Sequence, residues 1–166
     1  MATRHLRGLI RRYPHEHRHA VTLFYLYLQM GFLPSAESLL ASLPTEIQME
    51  ASAALALTKE DYSLAAEKYS SLLDSNSHHS LLYSTNLALT HLFSANAQTA
   101  IAALEPKLRE PRNPVGVLPH AAYNLCTVYE IRDDKARGRK EGIMESIVGQ
   151  YGDVCGKAHF KLDSLR

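Results

Sequence analysis

The sequence predicts an all-α protein, a right-handed solenoid of tetratricopeptide-like helical hairpins. Three observations carry this reading. Apolar residues recur at intervals of three and four, the helical period, rather than two. No stretch has the alternation or the density of β-branched residues that strands require. Small residues also return at a steady distance: Ala36, Ala65 and Ala100 are separated by 29 and then 35 residues, close to the roughly 34 of a tetratricopeptide repeat.

Taken in order, the elements support the repeat. Residues 1–14 read as a basic N-terminal helix or edge segment, and 15–163 as the helical repeat domain. The first repeat places Ala20, Leu23, Phe24 and Tyr27 on one helix, then Ala36 and Leu40 on the return helix. The second has Ala53 and Ala56, followed by Tyr62, Ala65 and Tyr69. A third runs through Leu87, Ala88 and His91 to Ala100 and Leu104, and a fourth holds Ala122, Leu125, Cys126 and Tyr129. Small residues at these slots let helix axes approach closely, while Leu, Phe and Tyr fill the space between them. Leu81, Leu82, Leu87, Leu89, Leu92 and Phe93 form an apolar stripe. Breaks are expected at Pro14, Gly31–Pro34, Pro44–Thr45, Asn76–His79 and across Glu110–Pro119. Thr45 with Gln48 reads as a capping box, and Asp61 as the cap of the next helix. Ile143 and Ile147, one turn apart, are expected to cover the fourth repeat. The residues after Gly149 are expected to be dispensable for the fold.

Composition narrows the function classes. The chain has 166 residues, 46% hydrophobic and 21% charged, with a formal net charge of +1. That is a folded chain with a core, and its balanced charge gives no reason to expect nucleic acid as a partner. Only two cysteines are present, Cys126 and Cys155, far apart and without neighbouring metal ligands. The apolar run Ala20–Leu28 is too short to cross a membrane. The Arg-rich, acid-free start Met1–Arg12 leaves a mitochondrial presequence open as a second reading.

The segment Asn124–Glu130, Asn-Leu-Cys-Thr-Val-Tyr-Glu, resembles a motif in the last repeat of the subunit-twelve family of the trafficking protein particle (TRAPP) complex, with Asn124, Leu125, Thr127, Tyr129 and Glu130 at the matching positions. In that family a charged turn, a basic helix start and a small apolar helix ending in Gly follow. Here they correspond to 131–140 and Glu141–Gly149. Asn86–Glu105 resembles the preceding repeat, and Lys157–Leu162 the family's terminal segment. The similarity spans roughly residues 60–163 and is firmest over 81–163. Family members are longer, so the chain reads as their C-terminal part. The three prolines of Glu110–Pro119 depart from the family pattern. The resemblance implies a non-enzymatic structural subunit without a cofactor, whose partners are protein subunits of a tethering complex. It implies a cytoplasmic place in the early secretory pathway, between endoplasmic reticulum and Golgi, with any membrane association made through partners.

His15-Glu16-His17-Arg18-His19 matches the minimal zinc-protease pattern. It follows Pro14 at a helix start and has no evident third ligand, so a solvated helix end is the expectation, with no metal and no catalytic residues. Cys126 fills a small slot in a repeat helix, and His78–His79 fall in a turn. The concave positions of such repeats would be Val21, Tyr25, Ala54, Thr85, Leu89, Tyr123 and Thr127, none of them basic. A groove of Tyr25, Thr85, Tyr123 and Thr127, edged by Asn86 and Asn124, suits a protein surface or extended segment better than a carboxylate tail. The alternative to a tether subunit is therefore a free-standing tetratricopeptide adaptor. The basic run Lys135–Lys140 is a candidate contact for phosphate or an acidic surface, although such runs are more often solvated helix starts.

Overall fold

The computed structural model describes residues 2–75, 79–111, 113–133 and 136–162. Among them there is no strand, and the protein is all-α. The expected break at Asn76–His79 falls partly outside the described residues. The chain forms two compact units, Met1–Lys68 and Tyr69–Arg166.

The first unit contains α1 (Ala2–Arg12), α2 (His17–Gln29), α3 (Leu33–Leu40) and α4 (Thr45–Thr58). Its core gathers Leu23, Phe24, Tyr27, Ala36, Leu43, Ala51 and Leu55. The basic helix α1 joins this core, because Leu6 and Ile10 pack on it and Arg7 Nε donates to the Tyr27 hydroxyl at 2.8 Å. The division between units falls inside α5 (Tyr62–Asp74), where Ala65 and Tyr69 are buried. The second unit holds α6 (Ser80–Phe93), α7 (Ala97–Arg109), α8 (Leu118–Arg132), α9 (Ala136–Tyr151) and a 3-10 turn, Lys157–Phe160. Here α6 packs on α7, α8 on both of them, and α9 on α7 and α8. Within this unit α7 and α8 each meet both neighbours, and α6 meets α8 and α7 meets α9 across one intervening helix.

Three helix-to-helix turns share one stereochemistry. Gly31, Glu60 and Ala95 all have left-handed backbone, with φ of 72°, 62° and 59°. In each turn the following residue donates its N–H five residues back: Phe32 to Tyr27 at 2.9 Å, Asp61 to Ala56 at 3.0 Å, and Asn96 to His91 at 2.8 Å. This is the Schellman closure, which satisfies carbonyls that a helix end leaves open. Five residues after each left-handed position stands Ala36, Ala65 or Ala100, each fully buried. The alanine spacing read from the sequence is therefore also the spacing of the turns. Only the first turn uses glycine, for which this conformation carries no steric cost.

Caps follow the same registration. Asp61 accepts from the Leu64 N–H at 3.1 Å, as expected, and Asn96 does the same for Thr99. The expected capping box at Thr45 does not form. Pro44, extended at ψ 141°, is the residue before α4, and its carbonyl accepts from Ile47 and Gln48. Thr45 is already helical, and the Gln48 amide donates instead to the Leu43 carbonyl at 2.8 Å. Proline moved the helix start one residue earlier than the hydroxyl pattern suggested.

Two further expectations are corrected. Phe93, placed on the apolar stripe, is 59% exposed, because it sits in the last turn of α6 while Leu81 and Leu87 carry the burial. The residues after Gly149 are part of the core: Cys155 and Phe160 are buried in it, with Tyr151, Val154 and Leu162 packed alongside. Phe160 is fully buried, worth about 1.5–3 kcal/mol of transfer free energy. Ile143 and Ile147 do share the buried face of α9.

The Pro-rich connection ahead of α8 is held by polar contacts. Asn113 Nδ2 donates to the carbonyls of Lys107 and Glu110, and the Asn113 N–H donates to the Tyr151 hydroxyl at 2.6 Å. That hydroxyl in turn donates to the Glu110 carbonyl. The end of α9 thereby fixes the entry of α8, whose first turn carries Pro119.

Candidate functional site

The Asn124–Glu130 motif lies in the second half of α8. Helical geometry puts Tyr123, Thr127 and Ile131 on one face, four residues apart. Leu125 and Tyr129 point the other way and are buried. Tyr123 and Ile131 stay open, at 46% and 60% exposure. Thr127 Oγ1 donates to the Tyr123 carbonyl at 2.9 Å, the back-bond typical of a helical threonine.

Next to this face a carboxylate is gripped by two lysines. Lys140, on α9, has a fully buried side chain, and its Nζ donates to Glu130 Oε1 and, at 3.3 Å, to the Lys161 carbonyl. Lys161 donates to Glu130 Oε2 and lies within 3.5 Å of Thr127 Oγ1. Its ammonium also sits over the Tyr123 ring, 5.3 Å from the centroid. Lys161 adopts left-handed backbone at φ 52°, which turns the chain after the 3-10 turn. Burial is the largest single influence on the Glu130 carboxyl and acts to raise it. The hydrogen bonds and charges of Lys140 and Lys161 together outweigh it, so the net shift is downward. Glu130 is thus a structural anion that ties α8, α9 and the end of the chain together.

Tyr129 has a second task. The Arg139 guanidinium stacks over its ring, 5.7 Å from the centroid. Burial first, and then the nearby Glu105 carboxylate, push the Tyr129 hydroxyl above its ordinary range, although no acceptor meets it in good hydrogen-bond geometry. Burial also pushes the Cys126 thiol up to about 12, far from the thiolate that a nucleophile needs.

The other expected groove residues are distributed as follows. Thr85 is buried on α6, and its hydroxyl donates to the Leu81 carbonyl at 2.7 Å. Asn86 and Asn124 are half-buried. Tyr25 belongs to the first unit, where it stacks edge-on with Phe24 and donates to Glu50 at 2.9 Å. The structure brings together Tyr123, Thr127 and Glu130, through Lys161. Lys140 and Lys161 were missed as partners of Glu130, although each lies in a segment the sequence had singled out.

The remaining motifs resolve separately. His15 precedes α2, so it does not share a helical face with His19, and Glu16 pairs with Arg18 at 2.9 Å. Among the described residues no three potential metal ligands converge. His78 and Lys135 lie outside the described residues. The rest of the basic run is divided among tasks: Arg137 pairs with Glu141, Arg139 with the Tyr129 ring, and Lys140 with Glu130. Among the described residues no helix is long and apolar enough to cross a membrane. No family model matches the chain, and neither a curated protein nor a solved structure matches it.

Proposed function

We propose that the chain is a non-enzymatic protein-interaction scaffold built from tetratricopeptide-like hairpins. In this reading it is a subunit similar to the twelfth subunit of the TRAPP tethering complex, acting in the cytoplasm in endoplasmic reticulum to Golgi transport. The observation that carries the architecture is the repeated turn, a left-handed residue followed five positions later by a fully buried alanine, at 31/36, 60/65 and 95/100. The functional half rests on the family-like motif Asn124–Glu130, whose carboxylate anchors the chain end while Tyr123 and Ile131 remain exposed on the same helix. An exposed tyrosine on a rigid helix is a usual anchor of a protein interface.

The test is recovery of TRAPP subunits by the tagged chain from cells, with Ile131→Asp and Tyr123→Ala as interface variants and His15→Ala/His19→Ala as control. The scaffold reading expects recovery by wild type and control, and loss with Ile131→Asp. Loss in the histidine control with retention in Ile131→Asp would sink it. Failure to recover any tether subunit with wild type would move the assignment to the free-standing peptide adaptor.

A further inference from the structure

The second unit carries a basic recess separate from the Glu130 clasp. It has a volume of about 470 Å³ and is lined by Gln98, Ile101, Ala102, Glu105, Pro106, Arg109, Arg132 and Arg139. Three guanidinium groups therefore border one concavity, floored by apolar side chains of α7. Two are held in place before any ligand arrives. Arg109 pairs with Glu105 at 3.1 Å, and Arg139 sits over the Tyr129 ring, 5.7 Å from its centroid. Arg132, in the last turn of α8, is exposed and has no carboxylate partner among the described residues.

We infer that this recess binds a phosphate monoester presented by a phosphorylated protein segment. Charge selects the ligand. Three arginines against the single Glu105 leave an excess of two positive charges, which complements a phosphoserine or phosphothreonine carrying about −1.5 to −2 at neutral pH. Geometry agrees, because planar guanidinium groups give two parallel donors to a phosphate and lose little entropy when already stacked or paired. The apolar floor of Ile101, Ala102 and Pro106 suits the side chain next to the phosphorylated residue.

The surroundings argue for a protein ligand over a membrane or a nucleic acid. Both of those need a broad field of unpaired cations. Here the nearby cations already have carboxylate partners: Lys107 has Glu110, Arg137 has Glu141, and Lys140 and Lys161 share Glu130. What remains is one confined basic spot. The inference rests on the protein-interaction reading for the nature of the ligand, and it names the chemistry by which one partner would be chosen.

The test titrates the full chain with a degenerate phosphoserine/phosphothreonine peptide library, its unphosphorylated counterpart, and phosphatidylcholine vesicles doped with a phosphoinositide. Arg132→Gln is the diagnostic variant, since Arg132 has no ion pair to lose among the described residues and the fold should not change. The expected result is binding of the phosphorylated library alone, weakened roughly ten- to a hundredfold by Arg132→Gln. Arg139→Lys keeps the charge but loses the planar pair of donors, and is expected to weaken binding as well. Equal binding of the unphosphorylated library, indifference to Arg132→Gln, or binding of vesicles but not peptides would each overturn the inference. Recovery of tether subunits without any phosphopeptide binding would overturn it and leave the scaffold reading standing. Phosphopeptide binding at Arg132 without tether subunits would support it and remove the tether assignment.

Discussion

Removing Glu130 should cost far more than removing the lysine it holds. Lys140 is fully buried, and its ammonium has the Glu130 carboxylate as its charged acceptor, with the Lys161 carbonyl at the longer distance of 3.3 Å. Glu130→Gln leaves that cation buried without a counter-charge. Breaking a buried pair in this way costs about 3–5 kcal/mol. The Glu130 side chain keeps 31% exposure, and the glutamine oxygen still accepts a hydrogen bond, so the lower end, about 3 kcal/mol, is expected. Lys140→Met has a different outcome. It removes the charge that needed the partner and fills nearly the same volume, while Glu130 keeps Lys161 and access to water. The expected cost is about 1 kcal/mol or less. In the double variant the penalty should fall back to that of Lys140→Met, a coupling of about 3 kcal/mol.

Hydrogen exchange of peptides spanning 118–162 reads this directly, because it reports local opening free energies within the one unit. If Lys140→Met proves as costly as Glu130→Gln, the buried ammonium is itself the stabilising group and the reasoning fails. The pH dependence has a defined sign. The folded Glu130 pKa is lowered, so its contribution is present above the unfolded carboxylate pKa and is lost as pH falls through the folded value. Protection of 118–162 should decline in acid for wild type, and more weakly for Glu130→Gln.

Ala65→Leu should overpack a fully buried slot and lower stability by about 1–3 kcal/mol in chemical denaturation. Ala95→Gly should raise stability by about 0.5–1 kcal/mol, because the left-handed position then carries no Cβ penalty; an unchanged or lower denaturation midpoint would contradict the turn geometry. Cys126 should resist alkylation at neutral pH in the native protein and react once denatured; labelling of the native thiol by mass spectrometry would contradict its burial.

The all-α class and the buried alanine series were legible because both depend on periodic, local constraints. Ala36, Ala65 and Ala100 stand where a larger side chain would clash, so their identity and spacing appear directly in the residues. The turns were less legible. Left-handed conformation at Gly31 is announced by glycine, but Glu60 and Ala95 adopt it without any such signal, because closure of the hairpin overrides the local preference. The cap at Asp61 could be read and the box at Thr45 could not, since Pro44 set the helix start through its fixed φ.

Partners distant along the chain were the hardest part of the site to read. Glu130 stands out in the sequence as a motif residue, but its charge balance depends on Lys140 and Lys161, ten and thirty-one residues further on. Lys140 lies in a run that reads as a solvated helix start, and Lys161 in the segment that resembles the family's terminus. The run after Asp133 illustrates the reason. One lysine is drawn into the core by a carboxylate, one arginine is laid on an aromatic ring, and another pairs within its own helix. Composition treats these as one basic patch, while packing divides them among a structural clasp, a ligand-facing guanidinium and an ordinary surface pair. Of the three arginines that line the recess, Arg132 and Arg139 have no carboxylate partner among the described residues, and they are the residues on which recognition should depend.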